Sequence, residues 1–564
     1  MTRLPNRPAT RWLGWGLVQG LGLWLGLACI AIFCLVAIIR LHPANFFAVT
    51  QDDTIYFSSA RALATGRGYV LPSIPGTPPA TKYPILYPWI LSWVWRWNPS
   101  FPANLSDALG ITVAFGLAYV ALAFSFLRRL GGIGSAEALL LTAFCALQPT
   151  VLFYSASLNS DIPFAAMALA ALLLADRATQ PGARAISVFG CGITAGLTIL
   201  IRILGVPIAL GILAAALARR AWKQAAILAV CTAPSFAWLA WQAMASARSA
   251  VPAGLDSAAP GFTQTWLYYT SYIGFRKLSI LNAHLVASML LNQLTYFFTE
   301  LPGYFLSPLF HKNIVLLFVC TLLVFWMVFA GLFREIHRAG WQPMHFAFFL
   351  TIAATLAWDY PAVQRFLIPF LPLLSASLWL EGKHWAGQLA AAACAPRAGI
   401  ARMVPAVSAV ALGALALGIA WNCVANKDRA QQLRDSVERG ALLAEKQQAY
   451  DWFRRHAPDD ARAVASEDGA FYLYTGRQAM AQIELRRAGA YDPAYLQEDL
   501  THMTDVATAI RAAYWLASSD DSDKQWVAAK PLLAERLGEI ENDLPELFRS
   551  NGGHVRVYGL GAVR

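Results

Sequence analysis

Long apolar runs separated by short polar segments fill residues 1–424. The first run, residues 12–39, lies between Arg11 and Arg40 and exceeds the roughly 20 residues that a helix needs to cross a bilayer. Further runs predict helices at about 107–127, 135–154, 162–176, 185–201, 203–218, 224–243, 313–333, 343–357, 366–380 and 404–424. The pattern therefore predicts a polytopic α-helical membrane protein with about 11 transmembrane helices.

Residues 425–564 follow a different pattern. Strand-like pieces at 463–465 and 471–474 alternate with helical stretches at 438–456 and 527–540. This alternation predicts a soluble α/β domain that follows a transmembrane module of residues 1–424.

Composition and charge support this division. The 564 residues are 57% hydrophobic and 14% charged, with a mean hydropathy of +0.47. Residues after 425 hold 22 of the 33 acids and 18 of the 44 bases, which gives them a net charge of −4 and the preceding part +15. Because the positive charges of that part lie in small clusters between apolar runs, they indicate membrane topology and not a nucleic-acid partner.

The basic clusters also predict the orientation of the chain. Every second loop is basic, which places the N-terminus in the cytoplasm and the C-terminal domain on the outer face. The long loops 40–106 and 244–312 then also lie outside. The residues of the predicted cytoplasmic side are Arg3, Arg7, Arg11, Arg128, Arg129, Arg177, Arg184, Arg219, Arg220, Lys223, Arg334, Arg338, Lys383, Arg397 and Arg402.

Two acids open an amphipathic segment of the first outer loop. Apolar positions at helical spacing predict a helix at 54–65 that lies on the membrane surface, with Asp52 and Asp53 at its N-terminus. One of the two acids can cap the helix. The second would be a further negative charge at a hydrocarbon boundary, so functional acids are the better explanation of the pair.

A lysine stands before the next predicted helix, 85–97. Four prolines keep residues 72–79 extended and lead to Lys82-Tyr83-Pro84. A lysine at a helix N-terminus conflicts with the positive end of the helix dipole, and a bound anion would remove the conflict. A phosphate site is one interpretation, and a side chain that reaches lipid headgroups is the other.

The short outer loops hold the remaining candidates. Asp161 opens a predicted span and could be an N-cap or a functional acid. Arg365 could bind substrate, pair with Asp359 or anchor the chain at the interface, and Arg202 could pair with one of the acids. The charges of the second long loop are better explained as solvated, and its histidines lack metal-ligand spacing. These residues are Arg276, Lys277, Glu300, His284 and His311.

Several common motifs are absent from the sequence. It contains no G-x-G-x-x-G, no P-loop and no H-E-x-x-H, and its eight cysteines form no CxxC. Nucleotide and zinc chemistry are therefore not indicated. Acids, a lysine and an arginine on the outer face would need a substrate that is delivered by lipid.

These residues resemble the GT-C superfamily of integral-membrane glycosyltransferases, in the branch of protein O-mannosyltransferases and the aminoarabinose transferases that modify lipid A. The resemblance covers residues 12–380. It rests on the acid pair followed by Tyr56, on Lys-x-Pro at 82–84, on the acid of S-D-x-P-F at 161, and on R-F-x-x-P-x-x-P at 365–372. The tail, with DWFRRHAP and YLYTGR, is similar to the outer domain of the family.

The resemblance implies a location, a reaction and roles. The location is the bacterial inner membrane, with a periplasmic C-terminal domain. The reaction is inverting transfer of one sugar from a polyprenyl-phosphate carrier to a hydroxyl of a lipid, glycan or protein. The implied catalytic residues are Asp52, as the base, with Asp53, and the implied substrate-binding residues are Lys82, Tyr56, Tyr83, Asp161 and Arg365.

No cofactor is required for this reaction, and a divalent cation between Asp52 and Asp53 is not favoured because Lys82 can supply the charge. Three alternatives stay open. They are a polymerase of lipid-linked glycans, a lipid or sugar transporter, and a non-catalytic partner in an envelope complex. The sequence leaves the sugar and the acceptor undefined.

Overall fold

The computed structural model describes residues 10–248, 251, 255, 259–271, 283–306, 314–357, 363–393, 404–490, 492–524 and 526–561. Each of the predicted apolar runs is helical in it. The helices of these runs are α1 (Thr10–Arg40), α4 (Leu105–Leu127), α5 (Ser135–Ala146) with α6 (Pro149–Ser155), α7 (Asp161–Ala178), α8 (Ala185–Ile201), α9 (Gly205–Ala218), α10 (Trp222–Arg248), α13 (Ile314–Ala339), α14 (Pro343–Leu356), α15 (Val363–Leu367) with α16 (Leu371–Ala393), and α17 (Val404–Ala425).

The two long loops, residues 40–106 and 244–312, contain helices of their own. These are α2 (Gln51–Ala64) and α3 (Leu86–Trp97) in the first long loop, and α11 (Pro260–Thr270) and α12 (Ala283–Leu306) in the second. Helices α2 and α3 confirm the two predicted from the sequence.

Part of this helical array is long and apolar enough to cross a membrane. Within the described residues, four helical segments meet that condition, and the pair α5 and α6, bent by 64°, would make a fifth span. The four are Leu21–Arg40, Leu105–Leu127, Trp222–Ala247 and Phe318–Ala339. Helices α8, α9 and α14 are apolar but shorter, so the number of 11 spans stays a prediction.

Small residues bring the helices close together. A Cβ on Gly211 of α9 would lie 2.4 Å from the backbone nitrogen of Ala347 in α14. A Cβ on Gly331 of α13 would lie 2.1 Å from the carbonyl oxygen of Ser377 in α16. Such contacts are typical of helices packed in a bilayer, where close backbone approach supplies much of the attraction.

Helix α2 does not lie on a surface, so that part of the sequence prediction is wrong. Its residues 53–60 are buried, because α3 covers one side and the C-terminal part of the chain covers the other. The pattern of α2 shows an apolar face, but its small residues, such as Ala60 and Ser59, also pack against neighbours. The segment that follows α2 folds back on itself, where Leu71 N donates to the carbonyl oxygen of Pro78.

The C-terminal part begins with a long helix, α18 (Lys427–His456), and contains a five-stranded sheet. The strands are β1 (Ala463–Ala465), β2 (Ala479–Met480), β3 (Tyr514–Ser518), β4 (Glu546–Arg549) and β5 (Val555–Gly559). Their order in the sheet is β2-β1-β3-β5-β4. Strand β1 is parallel to β2 and β3, whereas β5 is antiparallel to β3 and β4. The helices between them are α19 (Asp468–Thr475), α20 (Pro493–Thr501), α21 (Asp505–Ala509) and α22 (Lys530–Asn542).

The strand predicted at 471–474 is wrong, because these residues belong to α19. Phe471 packs against the aromatic rings of Tyr450 and Phe453, while Tyr472 lies against Arg61 of α2. When a short segment is buried on two sides, the spacing of its apolar residues does not distinguish a helix from a strand. Gly476, with φ of +77°, ends the helix.

Candidate functional site

Asp52 lies in the first turn of α2 and is the centre of a cluster of charged and phenolic side chains. Tyr83 donates a hydrogen bond of 2.5 Å to its Oδ1, and Arg365 donates one of 3.3 Å to its Oδ2. Burial raises the pKa of Asp52, but the charges of Arg365 and Lys82 and the Tyr83 hydrogen bond outweigh burial and hold the pKa below its usual value. The carboxylate is therefore ionised at neutral pH.

Asp53 has a different environment from its neighbour. Its Oδ2 accepts a hydrogen bond of 2.9 Å from Ala48 N, and its Oδ1 accepts one of 2.7 Å from Thr54 N. The side chain is completely buried, and burial raises its pKa well above the usual range. The bond from Ala48 ties α2 to the turn at that residue, whose φ is +69°.

Asp161 and two arginines form a chain of charges that is buried at Asp161 and Arg202 and partly exposed at Arg365. Arg202 Nη1 lies 2.8 Å from Asp161 Oδ2, and Arg365 Nε lies 3.4 Å from Asp161 Oδ1. Arg202 also donates to Ser160 Oγ at 3.1 Å. The start of α7, the residue after α8 and the short helix α15 thus converge, and Arg365 joins them to Asp52.

Lys82, which precedes Tyr83 in the sequence, is buried, and its ammonium nitrogen lies 5.3 Å from the ring centre of Tyr83. Its ammonium nitrogen lies 3.2 Å from the ring centre of Tyr268, an arrangement in which the negative face of the ring attracts the cation. Burial lowers the pKa of Lys82 to about 8, although Asp52 opposes this shift. An anion that bound here would favour the charged form further.

Tyr56 is placed behind the cluster. Its hydroxyl lies 2.9 Å from Ser160 Oγ, and its ring packs edge-on against Tyr83 and Tyr87. It therefore fixes the ring that donates to Asp52.

The structure thus brings five of the predicted residues together and places the other two around them. One cluster contains Asp52, Lys82, Tyr83, Asp161 and Arg365. Tyr56 packs against this cluster, and Asp53 accepts hydrogen bonds from backbone N–H groups next to it. This cluster is called the Asp52 site below.

Three residues next to the Asp52 site were missed by the sequence argument. Gln51 donates to the hydroxyl of Tyr269 at 2.6 Å and to Asp468 Oδ1 at 3.1 Å, and Tyr269 donates to Asp468 at 2.6 Å. They come from α2, α11 and α19. No local motif marks Tyr269 or Asp468, because their partners lie hundreds of residues away in sequence.

Other candidates have no part in this cluster or cannot be placed. Glu300 lies in α12 and is partly buried, and His284 lies at the start of the same helix. Within the part of the chain that the structure describes, no group of three or more His, Cys, Asp or Glu side chains could hold a metal ion. Arg276, Lys277, His311 and Asp359 lie outside the described residues.

The arrangement has a definite chemical capacity. It holds an ionised carboxylate that can take a proton, and beside it lie a lysine and an arginine that can bind an anion. The two cations and Asp52 lie on three different segments, so a molecule between them would contact all three.

Comparisons with known proteins give matches only among solved structures. No family model matches the chain, and no curated protein matches it. One match is a crystal structure of ArnT from Cupriavidus metallidurans bound to undecaprenyl phosphate, at 14% identity and a TM-score of 0.48, covering 94% of this chain and 98% of that one. Another is the Archaeoglobus fulgidus oligosaccharyltransferase in complex with Zn and sulfate, at 12% identity and a TM-score of 0.47, covering 87% of this chain and 68% of that one.

Both matched structures lie below 25% identity and below a TM-score of 0.5, so the resemblance to the GT-C superfamily stays a prediction. Identities and TM-scores this low say nothing about the reaction. The geometry of the Asp52 site is therefore the evidence for a function.

Proposed function

We propose that the chain is an inverting glycosyltransferase that moves one sugar from a polyprenyl-phosphate carrier to an acceptor hydroxyl on the outer face of the cytoplasmic membrane. The observation that carries the proposal is the Asp52 site, where an ionised carboxylate lies beside Arg365 and Lys82. A base and an anion site in contact are what transfer from a phosphate-linked sugar requires.

The reaction follows from the roles of these groups. Asp52 accepts the proton of the acceptor hydroxyl while the oxygen attacks the anomeric carbon. The bond between that carbon and the phosphate oxygen breaks, and its electron pair leaves with the polyprenyl phosphate. Attack opposite the leaving group inverts the anomeric centre, and Lys82 with Arg365 stabilises the charge that grows on the phosphate.

The charges of the site suit such a donor. Three cations, Lys82, Arg202 and Arg365, act on the carboxylates of Asp52 and Asp161. A sugar-linked lipid phosphate is a diester with one negative charge, which these cations would attract. Because a nearby anion favours the ammonium form, the donor would also raise the pKa of Lys82 from about 8.

Arg365 gives the site a way to couple donor and base. Its guanidinium is shared between Asp52 and Asp161, and its Nε makes no hydrogen bond. A phosphate that drew Arg365 away would remove one of the charges that hold the pKa of Asp52 down. Donor binding would thus strengthen the base before the acceptor is deprotonated.

The location and topology belong to the same proposal. We place the protein in the bacterial inner membrane with a cytoplasmic N-terminus, residues 1–424 as the catalytic transmembrane module and residues 425–564 as an outer domain. The four candidate spans and the basic clusters support this placement. The site requires no metal cofactor, since Lys82 and Arg365 supply the positive charge.

A mass spectrum of envelope lipids, glycans and proteins from cells with and without the gene tests the proposal. We expect one acceptor to lose a single hexose, pentose or aminosugar when the gene is absent. Loss of a long glycan would indicate a polymerase, and an unchanged envelope would contradict the proposed transfer.

A further inference from the structure

One carboxylate of the outer domain meets three segments around the Asp52 site. Asp468 Oδ1 accepts hydrogen bonds from Gln51 at 3.1 Å and from Tyr269 at 2.6 Å, and its Oδ2 accepts one from Ser73 at 2.9 Å. The donors belong to α2, to α11 and to the segment that leads to Lys82. The Asp468 side chain is completely buried, so these bonds replace its hydration.

The position of Asp468 relative to α2 is fixed by the backbone. The next residue, Gly469, lies directly on the first turn of α2, where a Cβ would come within 2.4 Å of Thr54 Oγ1. Any other residue at 469 would push α19 away from α2. The approach therefore sets the distance from Asp468 to Gln51, the neighbour of Asp52.

The same contacts reach the cation of the site. Tyr269 is held by Asp468, and the adjacent Tyr268 carries the Lys82 ammonium over its ring at 3.2 Å. A shift of the first turn of α2 or of the end of α11 would move Asp52 or Lys82 relative to the other.

We infer that Asp468 is a positioning residue that acts through Gln51 and Tyr269 to hold Asp52 and Lys82 in register, which makes the outer domain part of the catalytic unit. This inference rests on the proposed function. Asp468 acts by accepting hydrogen bonds, and burial raises its pKa, which is consistent with a role that does not need its charge. Asparagine keeps an acceptor oxygen, so it should replace Asp468, whereas leucine should not.

The test compares full-length Asp468→Leu, Asp468→Asn and Tyr269→Phe with a matched control, Glu445→Gln. Glu445 is also an acceptor with little exposure in the outer domain, but it bonds Ser550 and His554, away from α2. The measurement is sugar transfer from a polyprenyl-phosphate sugar as a function of pH. We expect Asp468→Leu and Tyr269→Phe to lose about tenfold or more in turnover, as misplaced groups do.

The pH profile separates positioning from general damage. If Asp52 moves away from Arg365 and Tyr83, its pKa rises and the acid limb of the pH profile moves to higher pH. We expect this shift in Asp468→Leu and Tyr269→Phe. We do not expect it in Asp468→Asn or Glu445→Gln. An acid limb in its wild-type place in Asp468→Leu overturns the inference, whatever the turnover. If that variant does not reach the membrane, Tyr269→Phe decides in the same way. A wild-type protein that transfers no sugar contradicts the proposed function, and the inference falls with it.

Discussion

Arg365 contacts Asp52 through Nη2 at 3.3 Å while its Nε lies 3.4 Å from Asp161. One guanidinium thus links the proposed base to a buried acid of α7, and the side chain of Arg365 is still 21% exposed. The partial exposure matters because a phosphate can reach the guanidinium without first displacing the two carboxylates.

Removing this arginine should change the pH dependence of the reaction. Arg365 lowers the pKa of Asp52, and the base works only when it is ionised. In Arg365→Gln the pKa rises, so the acid limb of kcat/KM should move to higher pH and turnover should fall. The exposed Arg454→Gln serves as the control and should leave the limb in place. An unmoved limb in Arg365→Gln would show that the arginine does not act on the base.

The two adjacent acids should respond differently to the same substitution. Asp52→Asn keeps the shape of the side chain but cannot take a proton, so we expect a loss of at least about a hundredfold in turnover with normal insertion. Asp53→Asn should reduce turnover less than Asp52→Asn does. It should instead lower the free energy of unfolding by about 1–3 kcal/mol, since one buried N–H of Ala48 or Thr54 loses its acceptor.

Turnover assays and thermal unfolding in detergent check this pair of predictions. Normal transfer by Asp52→Asn would show that another acid is the base, and Asp161 would be the next candidate.

Lys82 should set the basic limb of the profile. Its pKa is about 8 in the free protein, and only the ammonium form binds phosphate well, so kcat/KM should fall as the pH rises through that value. In Lys82→Arg the guanidinium stays charged, and the limb should move to higher pH while measurable activity remains. A basic limb that stays near pH 8 in Lys82→Arg would assign it to a different group.

The buried pair of Arg202 and Asp161 should be important for stability. Arg202→Met removes the shorter ion pair of the carboxylate, which is 1% exposed, and among the described residues leaves it the longer contact to Arg365. We expect a loss of about 3 kcal/mol in the free energy of unfolding, as for other buried pairs that lose one partner. The double variant Arg202→Met with Asp161→Leu should recover part of it. Denaturation in detergent measures both, and an unchanged stability in Arg202→Met would contradict the prediction.

Topology can be tested independently of the chemistry. Reporters fused after Gly132 and after Ala221 should be cytoplasmic, and one fused after Asn426 should be external. A cytoplasmic reporter after Asn426 would contradict the orientation and put Asp52 and Asp161 on the wrong side of the membrane for a donor presented outside.

The sequence identifies most of the Asp52 site, because spans and loops decide which residues can meet. The apolar runs and the basic clusters together predict that Asp52, Lys82, Asp161 and Arg365 lie on the same side of the membrane, and the structure brings these residues together. The residue pattern does not reveal the different environments of Asp52 and Asp53, because these depend on which group donates to each carboxylate. Tyr83 donates to Asp52, and Ala48 N donates to Asp53.

The residues that sequence reasoning missed are held by contacts between distant segments. Asp468 bonds Gln51 across 417 positions and Tyr269 across 199, so no period or motif of the sequence links them. The burial of α2 has the same origin. The sequence shows its apolar face, but only the packing of α19 shows that its other face is covered as well.

The most direct test of the proposed function is single-turnover transfer by the purified protein in detergent. The assay uses saturating labelled polyprenyl-phosphate sugar, with membranes from cells lacking the gene as the source of acceptor. Wild type should release polyprenyl phosphate and pass the label to one acceptor, and Lys82→Arg should retain measurable transfer. Lys82→Met should lose it in turnover more than in donor affinity, because the charge on the phosphate grows as the sugar departs. Wild-type turnover in Lys82→Met, or no transfer by the wild type, would contradict a lipid-phosphate donor at the Asp52 site.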